Sequence, residues 1–240
     1  MQTLYNRPIK KATTAQKGDA PQLFRIREKG KYGFINQTGE IVIEPQYVEA
    51  EAFYNSFSRV RFNNKPVPLD SLGRLLMKHL FNYVGVFEEE RARVQLVRRW
   101  GFIDTRGTLT IPVQFDQAED FSEGRAAVAQ GERWGFIDRE GAWCIAAQFS
   151  AVGAFQEAWA PAAQDGLWGF IDWEGQMRIP ARFQHCSPFQ GGVAAFVDDN
   201  LWGLIDQDGG IILEPSFELE EDQLYGHFSD GLALALFDGR

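Results

Sequence analysis

Histidine, cysteine and carboxylate side chains are the usual carriers of chemistry, and their spacing in this chain does not assemble any. His79, His185 and His227 stand at unrelated positions with no ligand spacing between them. Cys144 and Cys186 form neither a disulfide framework nor a metal pattern. Cys186 follows His185 directly, but neighbouring residues of a strand point to opposite faces, which separates a thiol from its would-be base. No glycine-rich phosphate loop, Gly-x-Ser-x-Gly elbow or His-Glu-x-x-His helix occurs. Glycoside hydrolysis needs only two carboxylates across a cleft, yet with 33 acidic residues in 240 some such pair is expected by chance and proves nothing. The residue types therefore point away from an enzyme, a metal site and a cofactor.

Charge is the chemistry that remains. The net charge of −9 conceals a strong asymmetry: residues 1 to 31 hold eight basic against two acidic residues, whereas from Asp198 to the end eleven acidic residues face one basic, Arg240. The acidic run Glu218, Glu220, Glu221 and Asp222 is the densest part of that end. Such a surface repels phosphate and disfavours nucleic acid, and a basic protein is its natural complement. Solvation of an exposed terminal unit is the simpler alternative.

The elements that carry these residues are set by an internal repeat. Trp100-Gly101, Trp134-Gly135, Trp168-Gly169 and Trp202-Gly203 recur every 34 residues, with Tyr32-Gly33 upstream and Pro66-Val67 in the degraded second copy. After each intact pair come two apolar residues and Asp or Asn, as in Phe136-Ile137-Asp138, and then a glycine: Gly39, Gly73, Gly107, Gly141, Gly175 and Gly209. An aliphatic or Met column (Ile43, Met77, Ile111, Ile145, Ile179, Leu213) and two aromatic columns complete the unit. The second aromatic column reaches Phe228 only through a five-residue insertion that coincides with the acidic run.

This unit, Trp-Gly-Phe-Ile-Asp-x-x-Gly followed by Ile, a frequent Pro and Phe, then Phe-x-x-Gly-x-Ala, resembles the WG (KWG) repeat family of bacterial proteins. The resemblance implies a repeat fold more firmly than an activity. Phe-Ile-Asp-x-x-Gly reads as a hairpin in which Asp bonds free backbone N–H groups and Gly supplies a positive φ. A calcium loop would need a denser run of oxygen ligands. The glycine after Trp lets a neighbouring chain lie close. Three short strands per unit predict an all-β array of six 34-residue units forming an elongated, twisted stack, with a closed propeller-like ring as the alternative. The units run about 29–62, 63–96, 97–130, 131–164, 165–198 and 199–240 within one β domain over 21–240, behind a flexible basic segment at 1–20.

Columns also sort the remaining tryptophans. Trp143 aligns with Ile41, Leu75 and Leu109 and reads as core. Trp173 aligns with Gln37, Ser71 and Thr105 in the hairpin turn and reads as exposed, while Trp159 falls in a mixed column. Trp159 and Trp173 are thus candidate partner contacts, against the plainer reading of isolated surface aromatics. The degraded second unit adds Lys65, Arg74, Lys78, His79, Arg91 and Arg93, which fits either decay or a binding role.

No apolar run is long enough to span a membrane, and the first 20 residues hold no stretch suited to a signal peptide, so a cytoplasmic location is expected. The resemblance and the acidity together suggest a non-enzymatic protein-binding module, an immunity protein that occludes a basic toxin. The alternative is an array binding glycan or cell-envelope material, which would expose its Trp side chains.

Overall fold

The computed structural model describes residues 22–54, 56–76, 81–218, 228–229 and 232–233. The segment 1–20 and the candidate residues Glu220, Glu221 and Asp222 lie outside the described residues. Among the described residues there is no helix, and the chain forms a succession of small antiparallel sheets.

The fourth sheet shows how the repeat builds them. Strands Gln117–Ser122, Arg125–Gln130, Arg133–Ile137 and Trp143–Phe149 pair in that order. The first two belong to the unit 97–130 and the last two to the unit 131–164, so each sheet is completed by two consecutive copies. The third sheet (Tyr83–Val84, Arg91–Leu96, Arg99–Asp104, Leu109–Phe115) repeats the order. So do the fifth (Ala151–Val152, Ala160–Gln164, Leu167–Ile171, Met177–Phe183) and the sixth (His185–Cys186, Val193–Asp198, Leu201–Asp206, Ile211–Glu218). The first sheet has three strands (Phe24–Glu28, Lys31–Ile35, Ile41–Tyr47). In the second sheet, where the first unit meets the degraded second, only Phe57–Phe62 and Lys65–Asp70 form a strand pair, and single bridges from Ala50 to Val60 and from Leu69 to Leu75 mark where the outer strands would be. Phe228–Ser229 and Leu232–Ala233 pair after the insertion.

The all-β array of repeats expected from the sequence is thus the observed fold, with one addition. From the unit 97–130 onward each unit has a fourth strand, and in Ala151–Val152 and His185–Cys186 it is two residues long, too short to show alternation in the sequence. Sheets pack on their neighbours in chain order, and among the described residues no substantial packing joins the first sheet to the sixth.

Both faces of every inner sheet are buried, and the adjacent residues of Phe-Ile divide them. Ile137 joins a cluster with Phe102, Ile111 and Phe121 on the side of the preceding sheet, while Phe136 joins Ile145, Phe155 and Ile171 on the following side. Phe170 and Ile171 split in the same way. The strand beside them presents Ala126, Ala127 and Val128, and the alanines let the sheets approach.

The glycine after Trp is required by a bulge. Trp100 pairs with Phe115 and Phe102 with Ile111, so two steps on one strand face four on the other. The extra residues lean over Gly101, where an added Cβ would lie 2.5 Å from the Ile111 carbonyl oxygen. Pro112 sits within this bulge on the sheet's edge strand, where no N–H is needed, which explains the frequent proline of the motif.

The turn reading holds in every copy. Asp138 Oδ1 accepts from the Glu140 and Ala142 amides at 3.0 and 2.8 Å, and Asn36, Asp70, Asp104, Asp172 and Asp206 make the same pair of bonds. All six hairpin glycines have φ between +72° and +86°. The turn also docks on the preceding sheet, with a Cβ built on Gly141 falling 3.1 Å from Ile111 Cγ2.

Candidate protein-binding surface

Framework positions are consumed by packing, so any contact surface must come from what differs between copies. Trp159 is half-buried and packs on Phe189 of the next sheet, ring centroids 5.9 Å apart. Trp173 is half-buried, not exposed as its turn position suggested. Its ring stacks on Phe155 at 4.9 Å and 16°, and Arg125 lies 4.0 Å above it while donating to the Trp173 carbonyl at 2.5 Å. An indole in the hairpin turn reaches back over the preceding sheet because the turn itself docks there. Trp143 departs in the opposite sense: 39% of it is exposed, with an edge contact to Phe115 at 5.8 Å, because it starts an edge strand beside the turn.

Cys186 is buried as expected, and burial pushes its thiol well up from the ordinary value. His185 turns the other way, edge-on to Trp168, and burial lowers its pKa. For Asp172 burial alone would raise the carboxyl, but the Gln176 and Glu174 amides and Arg178, at 2.5 Å, hold it below the ordinary value. These carboxylates are structural. Among the described residues no group of three or more His, Cys, Asp or Glu is placed to hold a metal ion.

A second set of carboxylates escaped the sequence reading. The tips Glu123-Gly124, Glu157-Ala158 and Gly191-Gly192 have both residues at positive φ, leaving two successive backbone N–H groups pointing outward. Glu123 accepts from the Glu157 and Ala158 amides at 2.6 and 2.9 Å, and Glu157 from Gly191 and Gly192 at 2.5 and 2.8 Å. Glu89 accepts from Gly124 at 2.8 Å and from Arg139 at 2.9 Å. The signal was visible as glutamate at 89, 123 and 157, one per repeat. Glu157→Ala is expected to cost about 1–2 kcal/mol, because two amides lose a charged acceptor. Chemical denaturation checks this, and a loss of only a few tenths would mean that water caps the tip equally well.

The sixth sheet is where the acidic excess becomes a surface. Its tip, Asp199-Asn200, has φ of +46° and +62° and is fixed by Gln184 Oε1 accepting from the Asn200 amide at 2.9 Å. Asp198 and Asp199 are exposed at this tip, while Asp208 is exposed in the turn at the other end of Leu201–Asp206 and Glu214 on the last strand. Glu218 ends the last strand opposite Leu201, the only member of the predicted acidic run inside the described residues. Ile211 and Ile212 are 43% and 54% exposed on that strand. No lysine or arginine occurs between Arg182 and Arg240.

Comparison with known proteins supports the repeat and the fold. No curated protein matches the chain in sequence. Among solved structures, a eukaryotic initiation factor is 10% identical with a TM-score of 0.52, covering 88% of this chain and 69% of that one. Hsv2 of Kluyveromyces lactis is 10% identical with a TM-score of 0.45, covering 85% and 76%. At this identity the likeness is one of fold alone, a propeller-like succession of small sheets. The signature of the WG-containing repeat matches residues 32–65, 100–134, 134–168, 168–202 and 202–240, passing over the degraded unit. Five matches over most of its length place this chain in the family of WG-containing β-repeat proteins.

Proposed function

We propose that this chain is a non-enzymatic, cytoplasmic protein-binding module, an immunity protein that occludes a basic bacterial toxin with its acidic last units. The observation that supports this most is the sixth sheet, where exposed Ile211 and Ile212 stand between exposed Asp208 and Glu214, Asp198 and Asp199 are exposed at the sheet's other end, and no cation is nearby in sequence. Apolar anchors flanked by one sign of charge suit a partner of the opposite sign. The half-buried Trp159 and Trp173 border neighbouring sheets and would extend the contact. Among the described residues no helix is long and apolar enough to cross a membrane.

The test begins with capture of the partner on the immobilised chain and its identification. Surface plasmon resonance of wild type against a variant carrying Glu220→Lys, Glu221→Lys and Asp222→Lys should then show an association rate lower by roughly tenfold, with dissociation and folding little changed. Added salt should reproduce part of the effect. Co-expression should relieve the partner's toxicity, and less so for the variant. An association rate indifferent to both charge and salt would remove the acidic end from the interface.

A further inference from the structure

The opposite end of the array carries a second charged surface, built at the two-residue hairpin tips that open each unit. Most of these tips have two left-handed residues, supplied as Lys29-Gly30, Asn63-Asn64, Asp165-Gly166 and Asp199-Asn200, whereas in Gly131-Glu132 only the glycine is left-handed. The third sheet departs from this chemistry: its tip is Val97-Arg98, with φ of +48° and +68°. A β-branched residue is disfavoured there. Val97 is also 79% exposed, more than any other large apolar residue described. Its amide donates to Asn82 Oδ1 at 3.2 Å, which holds the tip in place. The fold gains nothing from this valine that the asparagine or glycine of other tips would not supply.

In the first four sheets the residue after the tip adds a column of charge. Lys31, Lys65, Arg99 and Arg133 occupy one register, each paired across the hairpin with Glu28, Phe62, Leu96 and Gln130 respectively. Lys29 and Arg98 reinforce it, and Val48, 57% exposed, lies in the corresponding corner of the first unit. The column turns at Glu132, and further along the same tips carry Asp165 and Asp199. Arg99 meets Asp116 at 2.8 Å, but this pair is 52% and 36% exposed and is readily exchanged for another carboxylate.

We propose that the rim formed by Lys29, Lys31, Lys65, Val97, Arg98 and Arg99 binds an extended acidic segment of a partner protein. Stacked sheets lie about 10 Å apart and an extended chain advances about 3.3 Å per residue, so an acidic side chain at every third position meets one tip per repeat. Val97 supplies the apolar contact between charges. Single-stranded nucleic acid is a poorer fit, because its charges are denser and its bases need exposed aromatic rings, whereas this tip is aliphatic. The rim is opposite in charge to the sixth sheet, so its failure leaves the toxin-binding reading untouched.

The probe is a fluorescein-labelled 15-residue peptide with Glu at every third position and Val and Ser between, followed by anisotropy with the full chain at low salt. An isomeric peptide with its Glu residues clustered, a heparin oligosaccharide and an oligothymidylate serve as competitors. The spaced peptide should bind, and binding should weaken with salt. The combined variant Lys31→Glu, Lys65→Glu, Arg99→Glu should abolish it. Val97→Asn should raise the denaturation midpoint while weakening binding at least fivefold, a combination that a purely structural valine would not give. Unchanged binding by Val97→Asn, equal binding of the clustered peptide, or tighter binding of heparin or oligothymidylate would overturn the proposal. So would concentration-dependent self-association that the charge-reversed variant loses, since the ligand would then be a second copy.

Discussion

Gly101→Ala is expected to destabilise the chain by more than about 3 kcal/mol, out of proportion to one added methyl group. The new Cβ would sit 2.5 Å from the Ile111 carbonyl oxygen and 2.7 Å from the Pro112 carbonyl carbon. Both are backbone atoms in a bulge locked by the Phe102–Ile111 and Trp100–Phe115 pairs, so neither can rotate away as a side chain would. The matched control is Gly131→Ala, whose Cβ would meet nothing within 4 Å although its φ is +64°. It should cost only the left-handed penalty, about 1–2 kcal/mol. Denaturation midpoints decide it. Equal losses would mean that backbone conformation, and not the close approach, accounts for the motif's glycine.

The next largest effect should come from cutting the Phe-Ile pair. Phe136 is 1% exposed and meets Phe155 edge to face at 4.7 Å, and Ile171 is fully buried in the same cluster from the opposite sheet. Phe136→Ala or Ile171→Ala should each cost about 2–5 kcal/mol, transfer plus cavity, because sheets held on both faces cannot close the gap. Leu204, the half-buried residue of the Phe136 column in the sixth sheet, should cost visibly less when cut to Ala. Since each sheet rests only on its neighbours, the inner substitutions should also broaden the unfolding transition by uncoupling the two halves of the array. Losses near 0.5 kcal/mol would place these side chains outside the core.

What was legible in the sequence was whatever repeats and acts locally. The Asp-x-x-Gly turn was readable because Asp138 and its counterparts bond amides two and four residues ahead, within one stretch of chain. The alternating strands and their burial followed from the columns for the same reason. Relations between copies were not readable. Glu123 serves amides 34 and 35 residues away, and nothing in its own surroundings marks it as a cap. Trp173 looked exposed because the column of a turn says nothing about where the turn docks, and Trp143 looked buried because its column mates are apolar whether or not the edge strand is covered. The acidic end was visible as composition, but only the sixth sheet shows Ile211 and Ile212 exposed between Asp208 and Glu214.

The division of the inner sheets between two consecutive copies has a consequence for how such a chain can change in length. Because the 34-residue period is shared by strands, turns and inter-sheet bonds alike, a deletion or duplication of one full period rejoins the array in phase wherever its ends fall. Recombination between copies need not respect a boundary, for the fold has none at which a unit stands complete. The two charged ends can therefore be moved apart or together in whole periods while each keeps its own residues, making the distance between the two charged surfaces adjustable without redesign of either.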